Sequence, residues 1–144
     1  LSNGIKLVFA NRSTVPLINI AMQFDAGYAA DAGGKLGLAE FTTRMLDEGA
    51  GKYDALELAA ELEQLGVELR SGSNLDTTTV RMSVLKENMS DAVALMGDII
   101  TAPTFAKEEI ERQRTLILNS IAQQKSRLPT ALRVGALIVL HKDR

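Results

Sequence analysis

No cysteine occurs among the 144 residues. That excludes disulfides, thiol nucleophiles and thiolate metal sites, and it suits an oxidising compartment without requiring one. Histidine occurs once, at His141. A serine hydrolase triad therefore has no base near Ser71, Ser73 or Ser83, and a lone His on an apolar helix is usually structural. No apolar run approaches the 18 or so residues of a membrane span; the longest is Val134 to Leu140, with Gly135 inside it. Charge of one sign is also scarce. Sixteen basic against eighteen acidic residues give a net charge of −2, with no basic run, which argues against nucleic acid as a partner. Gly33-Gly34 and Gly49-Ala50-Gly51 are not followed by the Lys-Ser/Thr of a phosphate loop. No initiator Met or signal peptide precedes Leu1, so the chain is expected to be a fragment.

What is present is a well-patterned apolar sequence. At 46% hydrophobic residues, 144 residues suffice for one domain with a core. Ile5, Leu7 and Phe9 alternate with Lys6, Val8 and Ala10, and Ile18, Ile20, Met22 and Phe24 alternate more strongly. These predict two strands forming an antiparallel pair. Gly37 to Gly49 reads as a short helix between glycines, with Leu38, Phe41 and Met45 as its buried stripe. Asp54 and Glu57 make a capping box for a second helix with Ala55, Leu58, Leu62 and Leu65 inward and Gly66 at its end. Val67 to Ser73 and Thr77 to Leu85 are two further strands, joined by a bend at 74–76. Asn88 or Ser90 caps a helix carrying Val93, Met96 and Ile100 that Pro103 ends. A long helix from about Ala106 to Arg127 places Ile110, Ile117 and Ile121 inward and Glu108, Glu109 and Glu111 near its positive end. A last apolar helix runs from about Thr130 to His141. Paired strands followed by paired helices indicate an α+β fold, an antiparallel-rich sheet with helices on one face, in a single domain over 1–144. The run into Lys142-Asp143-Arg144 leads us to expect further chain.

On the first helix, Glu40, Thr43 and Arg44 stand at i, i+3 and i+4. An H-x-x-E-H helix holds zinc and a catalytic carboxylate at the same spacing. A plain Glu40–Arg44 surface pair, worth a few tenths of a kcal/mol, fits these residues as well.

The order of these pieces resembles the N-terminal domain of the insulinase/pitrilysin/mitochondrial-processing-peptidase family of zinc peptidases. The similar stretches are Leu1-Ser-Asn-Gly-Ile-Lys-Leu-Val, Phe24-Asp-Ala-Gly-Tyr, Gly37-Leu-Ala-Glu-Phe, Leu65-Gly-Val-Glu-Leu, Ser83-Val-Leu-Lys-Glu-Asn, Asp98-Ile-Ile-Thr-Ala-Pro-Thr-Phe and Glu108-Glu-Ile-Glu-Arg. Each is weak alone; their collinearity carries the resemblance. It implies the mitochondrial-processing-peptidase-like metallohydrolase fold. Active members carry H-x-x-E-H where this chain has Glu40, Thr43 and Arg44. They carry a third, glutamate ligand where it has Ser120, and another acidic residue where it has Gln113. The resemblance thus implies a non-catalytic subunit or half of a zinc metallopeptidase. Such a chain has no catalytic residue and no metal of its own, and zinc is expected in a homologous H-x-x-E-H partner. Unfolded peptide is the implied substrate, added as a strand along Val67, Leu69, Ser71 and Ser73 or along Thr77 to Leu85, since the sequence alone does not say which of the two is the edge. Export to the periplasm is implied by analogy with bacterial pairs. An active peptidase with an atypical site and a structural scaffold like the core subunits of respiratory complexes are the alternatives.

Overall fold

The computed structural model describes residues 1–11, 14–31 and 34–126. Three strands, β1 (Leu17–Phe24), β2 (Glu68–Ser73) and β3 (Thr78–Leu85), form an antiparallel sheet in the order β1-β3-β2. Among the described residues four α-helices accompany them: α1 (Leu38–Met45), α2 (Ala55–Gln64), α3 (Met89–Thr101) and α4 (Lys107–Ser126). The α+β class and the strand-and-helix layering expected from the sequence are what the chain adopts.

Alternation decides which face of each strand is buried. Ile18, Ile20, Met22 and Phe24 of β1 and Val80, Met82 and Val84 of β3 point to the helix side. There they meet Leu58, Leu62 and Leu65 of α2 and its cap, and Ala92, Leu95, Met96 and Ile99 of α3. The opposite face carries Asn19, Ala21, Gln23, Glu68, Arg70, Arg81 and Ser83 and is open. The α2 capping box forms as expected: the Glu57 N–H donates to Asp54 Oδ1 (2.8 Å), and the Asp54 N–H donates to Glu57 Oε2 (3.1 Å). Gly66 ends that helix at φ 64°, the left-handed conformation that a C′ glycine adopts without strain. Asn74 makes the β2–β3 turn, its Oδ1 accepting from the N–H groups of Asp76 (2.9 Å) and Thr77 (2.8 Å).

Four expectations need correction. Residues 5–10 form no strand, and Leu7, Val8 and Phe9 are 70, 80 and 82% exposed. β1 therefore pairs not with an upstream neighbour but with β3, from Leu17 opposite Leu85 to Phe24 opposite Thr78. Leu38 is 53% exposed, and the buried side of α1 runs instead through Thr43 and Met45 to Leu46 just beyond it. Neither Asn88 nor Ser90 caps α3 through its side chain: Ser90 lies inside the helix, and Asn88 Nδ2 donates to the Leu65 carbonyl (3.0 Å). Val93 and Ile121 face outward: the buried stripe of α3 runs through Ala92, Leu95, Met96 and Ile99, one position from Val93, and α4 is exposed all round from Leu118 to Lys125. The expected helix from Thr130 to His141, and His141 itself, lie outside the described residues. Among the described residues no helix is long and apolar enough to cross a membrane.

Candidate functional site

The site is built around α1, and three anchors place that helix. The first is at its start. Gly37 adopts φ 91°, so the turn into α1 requires a residue free of Cβ strain. Asp31 reaches in from the preceding loop: its Oδ2 accepts from the Gly37 N–H (2.9 Å) and its Oδ1 from the Ala39 N–H (3.2 Å). A carboxylate against unsatisfied N–H groups at a helix N-terminus is favourable both as a hydrogen-bond acceptor and toward the helix dipole.

The second anchor joins α1 to β2. Ser71 Oγ donates to the Thr43 carbonyl (2.8 Å), and Ser73 Oγ donates to the Ala39 carbonyl (3.3 Å). The third lies past the end of α1, where buried Glu48 accepts from Arg112 Nη2 and Gln113 Nε2 of α4. Glu109 Oε2 takes the Arg112 Nε–H at 2.5 Å, and the two carboxylates, Glu109 foremost, hold this guanidinium above even its usual high pKa. Beside it, partial burial and then the charge of Glu48 push the Asp47 carboxyl above the usual carboxylate range. Replacing Glu48 by Ala strands the Gln113 amide and one arm of Arg112. It is expected to cost about 1–2 kcal/mol in urea unfolding of the full-length protein; an unchanged midpoint would show that this bridge is idle.

On α1 itself the three positions singled out by spacing part company. Glu40 and Arg44 pair, with Arg44 Nε donating to Glu40 Oε1 at 3.0 Å and Nη2 at 2.9 Å from the same oxygen. Their side chains are 38 and 50% exposed, so the pair is screened and weak. The second oxygen, Glu40 Oε2, accepts from the Tyr28 hydroxyl at 3.0 Å. That hydrogen bond to a carboxylate raises the Tyr28 pKa and keeps the hydroxyl protonated. Thr43 turns inward, only 2% exposed, and its hydroxyl is engaged with the Glu40 (2.8 Å) and Ala39 (3.3 Å) carbonyls of its own helix. The three positions span an arc of about 100° on the helix, and the core takes Thr43 at one edge of it while Glu40 and Arg44 stay partly exposed.

Ser120 is exposed on α4, two turns or about 10 Å beyond Gln113, and accepts from Gln124 Nε2 (3.4 Å). Among the described residues no hydrogen bond joins it to Glu40, Thr43 or Arg44. Nor do any three His, Cys, Asp or Glu side chains among them stand together as metal ligands.

Among the described residues β2 is an edge strand, paired only with β3, from Glu68 opposite Ser83 to Ser73 opposite Thr78. Val67 lies one residue before it and donates its N–H to the Leu62 carbonyl (2.8 Å). Leu69 packs on the core, and Ser71 and Ser73 are spent on α1. The four side chains singled out on this segment thus serve the helix side, while Glu68, Arg70 and Gly72 occupy the open one. Sequence reasoning missed Tyr28, Asp31 and Arg112, whose bonds to Glu40, to the Gly37 N–H and to Glu48 cross 12, 6 and 64 residues, outside any local pattern.

The sequence pattern of the insulinase family (peptidase family M16) matches residues 6–137. The mitochondrial-processing peptidase subunit beta of Rattus norvegicus is 27% identical over 128 residues, which is 89% of this chain and 26% of that protein. The non-peptidase homolog YmxG of Helicobacter pylori is 23% identical over 122 residues, covering 85% and 28% of the two chains. Among solved structures, the peptidase M16 inactive domain from Pseudomonas fluorescens superposes with a TM-score of 0.74 at 25% identity, over 79% of this chain and 28% of that one. The chain therefore spans less than a third of the relatives it matches. With a family pattern running through nearly its whole length and a matching fold, the chain belongs to the insulinase family, peptidase family M16.

Proposed function

We propose that this chain is the N-terminal domain of a non-catalytic family member, one that supports peptide binding and proteolysis by a homologous partner bearing H-x-x-E-H. One observation carries the proposal: both carboxylate oxygens of Glu40 are engaged, by Arg44 and by Tyr28, at helix positions where an active relative would hold zinc and its base. Zinc takes imidazole, thiolate or carboxylate donors, three of them converging in a catalytic site. Arg44 is a permanent cation paired with Glu40, the one carboxylate among the three positions, and Thr43 is neither a base nor exposed. Residues of this kind do not fit the metal, so zinc and its water belong to the partner. The names of the Pseudomonas fluorescens inactive domain and the Helicobacter pylori non-peptidase homolog support the same reading. The rat relative, named as a subunit of a processing peptidase, supports a role inside an assembly.

In that assembly β2 is the strand that receives peptide. Its outer edge offers main-chain groups, which bind an extended chain without demanding a sequence. The two serine bonds to α1 keep that edge in fixed relation to the degenerate helix. Export to the periplasm belongs to the same proposal, and cell fractionation with a periplasmic marker checks it.

The test combines metal content with activity. Full-length protein purified without chelator is expected to hold far less than one zinc per chain and to leave unfolded peptides uncut. It is expected to raise cleavage by an H-x-x-E-H homologue from the same source in a chelator-sensitive way. One tightly bound zinc lost on Glu40→Ala, or chelator-sensitive cleavage by this protein alone, would make it an active peptidase. No effect on any such homologue would leave a structural scaffold instead.

A further inference from the structure

The open face of the sheet carries a charge arrangement that neither the core nor the helices explain. In the antiparallel register Ala21 of β1 stands opposite Arg81 of β3, and Arg81 stands opposite Arg70 of β2. Among the described residues one row of the sheet thus reads alanine, arginine, arginine and then stops at the edge of β2. Like charges directly opposite each other across two strands are destabilising. Only part of this is relieved. Arg70 Nε donates to Glu68 Oε1 (2.9 Å), an exposed pair on its own strand, while Arg81 has no ion-pair or hydrogen-bond partner among the described residues. Beside the arginines the face sinks into a shallow hollow of about 230 Å³ floored by Asn19, Ala21 and Ser83. Apart from Glu68 and the two arginines, every residue that β1, β2 and β3 place on this face is uncharged, which leaves one guanidinium without a counter-charge.

A fourth strand added to β2 would place one of its residues in this row, directly opposite Arg70. We infer that Arg70, backed by Arg81, makes the β2 edge select an extended peptide with an acidic side chain at that position. The inference rests on the proposal that β2 is the peptide-receiving edge, and adds a substrate preference to it. A carboxylate there forms an opposite-charge cross-strand pair with Arg70, the favourable counterpart of the Arg70–Arg81 repulsion. It also supplies the counter-charge that Glu68 alone does not. Basic residues at the same position would extend the row of like charges to three. The period of two confines the preference to one face of the peptide: residues before and after the acidic one point to the α1 side and feel Arg70 little.

The probe is a short fluorescein-labelled Thr/Val-rich peptide, neutral except for one Glu moved stepwise along it, and binding to the full-length protein is read by fluorescence anisotropy at low salt. Glu at one position, with weaker effects two residues to either side, is expected to tighten binding about two- to five-fold over Ala there. The gain should vanish in Arg70→Gln, shrink in Arg81→Gln and fade at high salt, while both variants keep the wild-type melting curve. Peptide binding that is indifferent to the position of Glu, or a preference that survives Arg70→Gln, overturns the inference while leaving the edge reading intact. Equal binding of a peptide whose backbone nitrogens are methylated, or no binding of any peptide, overturns the edge reading itself and the inference with it.

Discussion

Gly27→Ala is expected to destabilise the full-length protein by about 3–5 kcal/mol in urea unfolding, and to weaken peptide binding in the same variant. A Cβ at position 27 would lie 2.4 Å from the Asn74 oxygen and 2.5 Å from both the Asp76 carbonyl carbon and the Leu75 oxygen. All three are backbone atoms of the tight β2–β3 turn, so no side chain can rotate away to make room. The contact exists because three consecutive N–H groups, those of Gly27 (3.1 Å), Tyr28 (2.8 Å) and Ala29 (2.9 Å), donate to the carbonyls of Asp76, Asn74 and Leu75. Relieving the clash means parting this seam, and the seam is what delivers Tyr28 to Glu40 and Asp31 to the start of α1. A variant that unfolds as the wild type does would show that the loop is not held this closely.

Leu58→Ala is the second large effect, expected at about 2–5 kcal/mol. Leu58 is fully buried where α2 meets the sheet, among Val80, Met82, Val84 and the α3 residues Leu95 and Ile99. Truncation removes the transfer free energy of three carbons and leaves a cavity lined by side chains from two helices and a sheet, which cannot all close on it. A neighbouring control on the same helix, the 83% exposed Leu56→Ala, should stay within about 0.5 kcal/mol of wild type. Similar losses at both positions would contradict the packing described here.

The difference between these two leucines was legible in the sequence, because helix periodicity separates positions 56 and 58 by itself. The capping box of Asp54 and Glu57 was equally legible, since both partners lie within one turn. β1 and the stretch from Ile5 to Phe9 show the same alternation, yet only β1 is a strand. Alternation records that one face can be buried; it does not supply the neighbour to bury it against. Around the candidate site the spacing of Glu40, Thr43 and Arg44 was visible. What Glu40 binds was not, because Tyr28 arrives through a loop held by a turn nearly fifty residues further on. Nothing in the local sequence links Arg70 with Arg81; only the register sets them opposite each other.

The nesting of β1 outside β3 has a consequence for the newborn chain. β2 and β3 are a hairpin and can zip as soon as both have left the ribosome, but β1, complete at Phe24, waits about sixty residues until β3 is complete at Leu85. At 5–20 residues per second that is a delay of roughly 3–12 seconds. Throughout it Ile18, Ile20, Met22 and Phe24 form a sticky ribbon with no partner of its own, close behind the equally apolar Leu7, Val8 and Phe9. The first forty residues are therefore where a holdase chaperone has most to do, and they must be kept apart from other chains until the hairpin arrives to claim them.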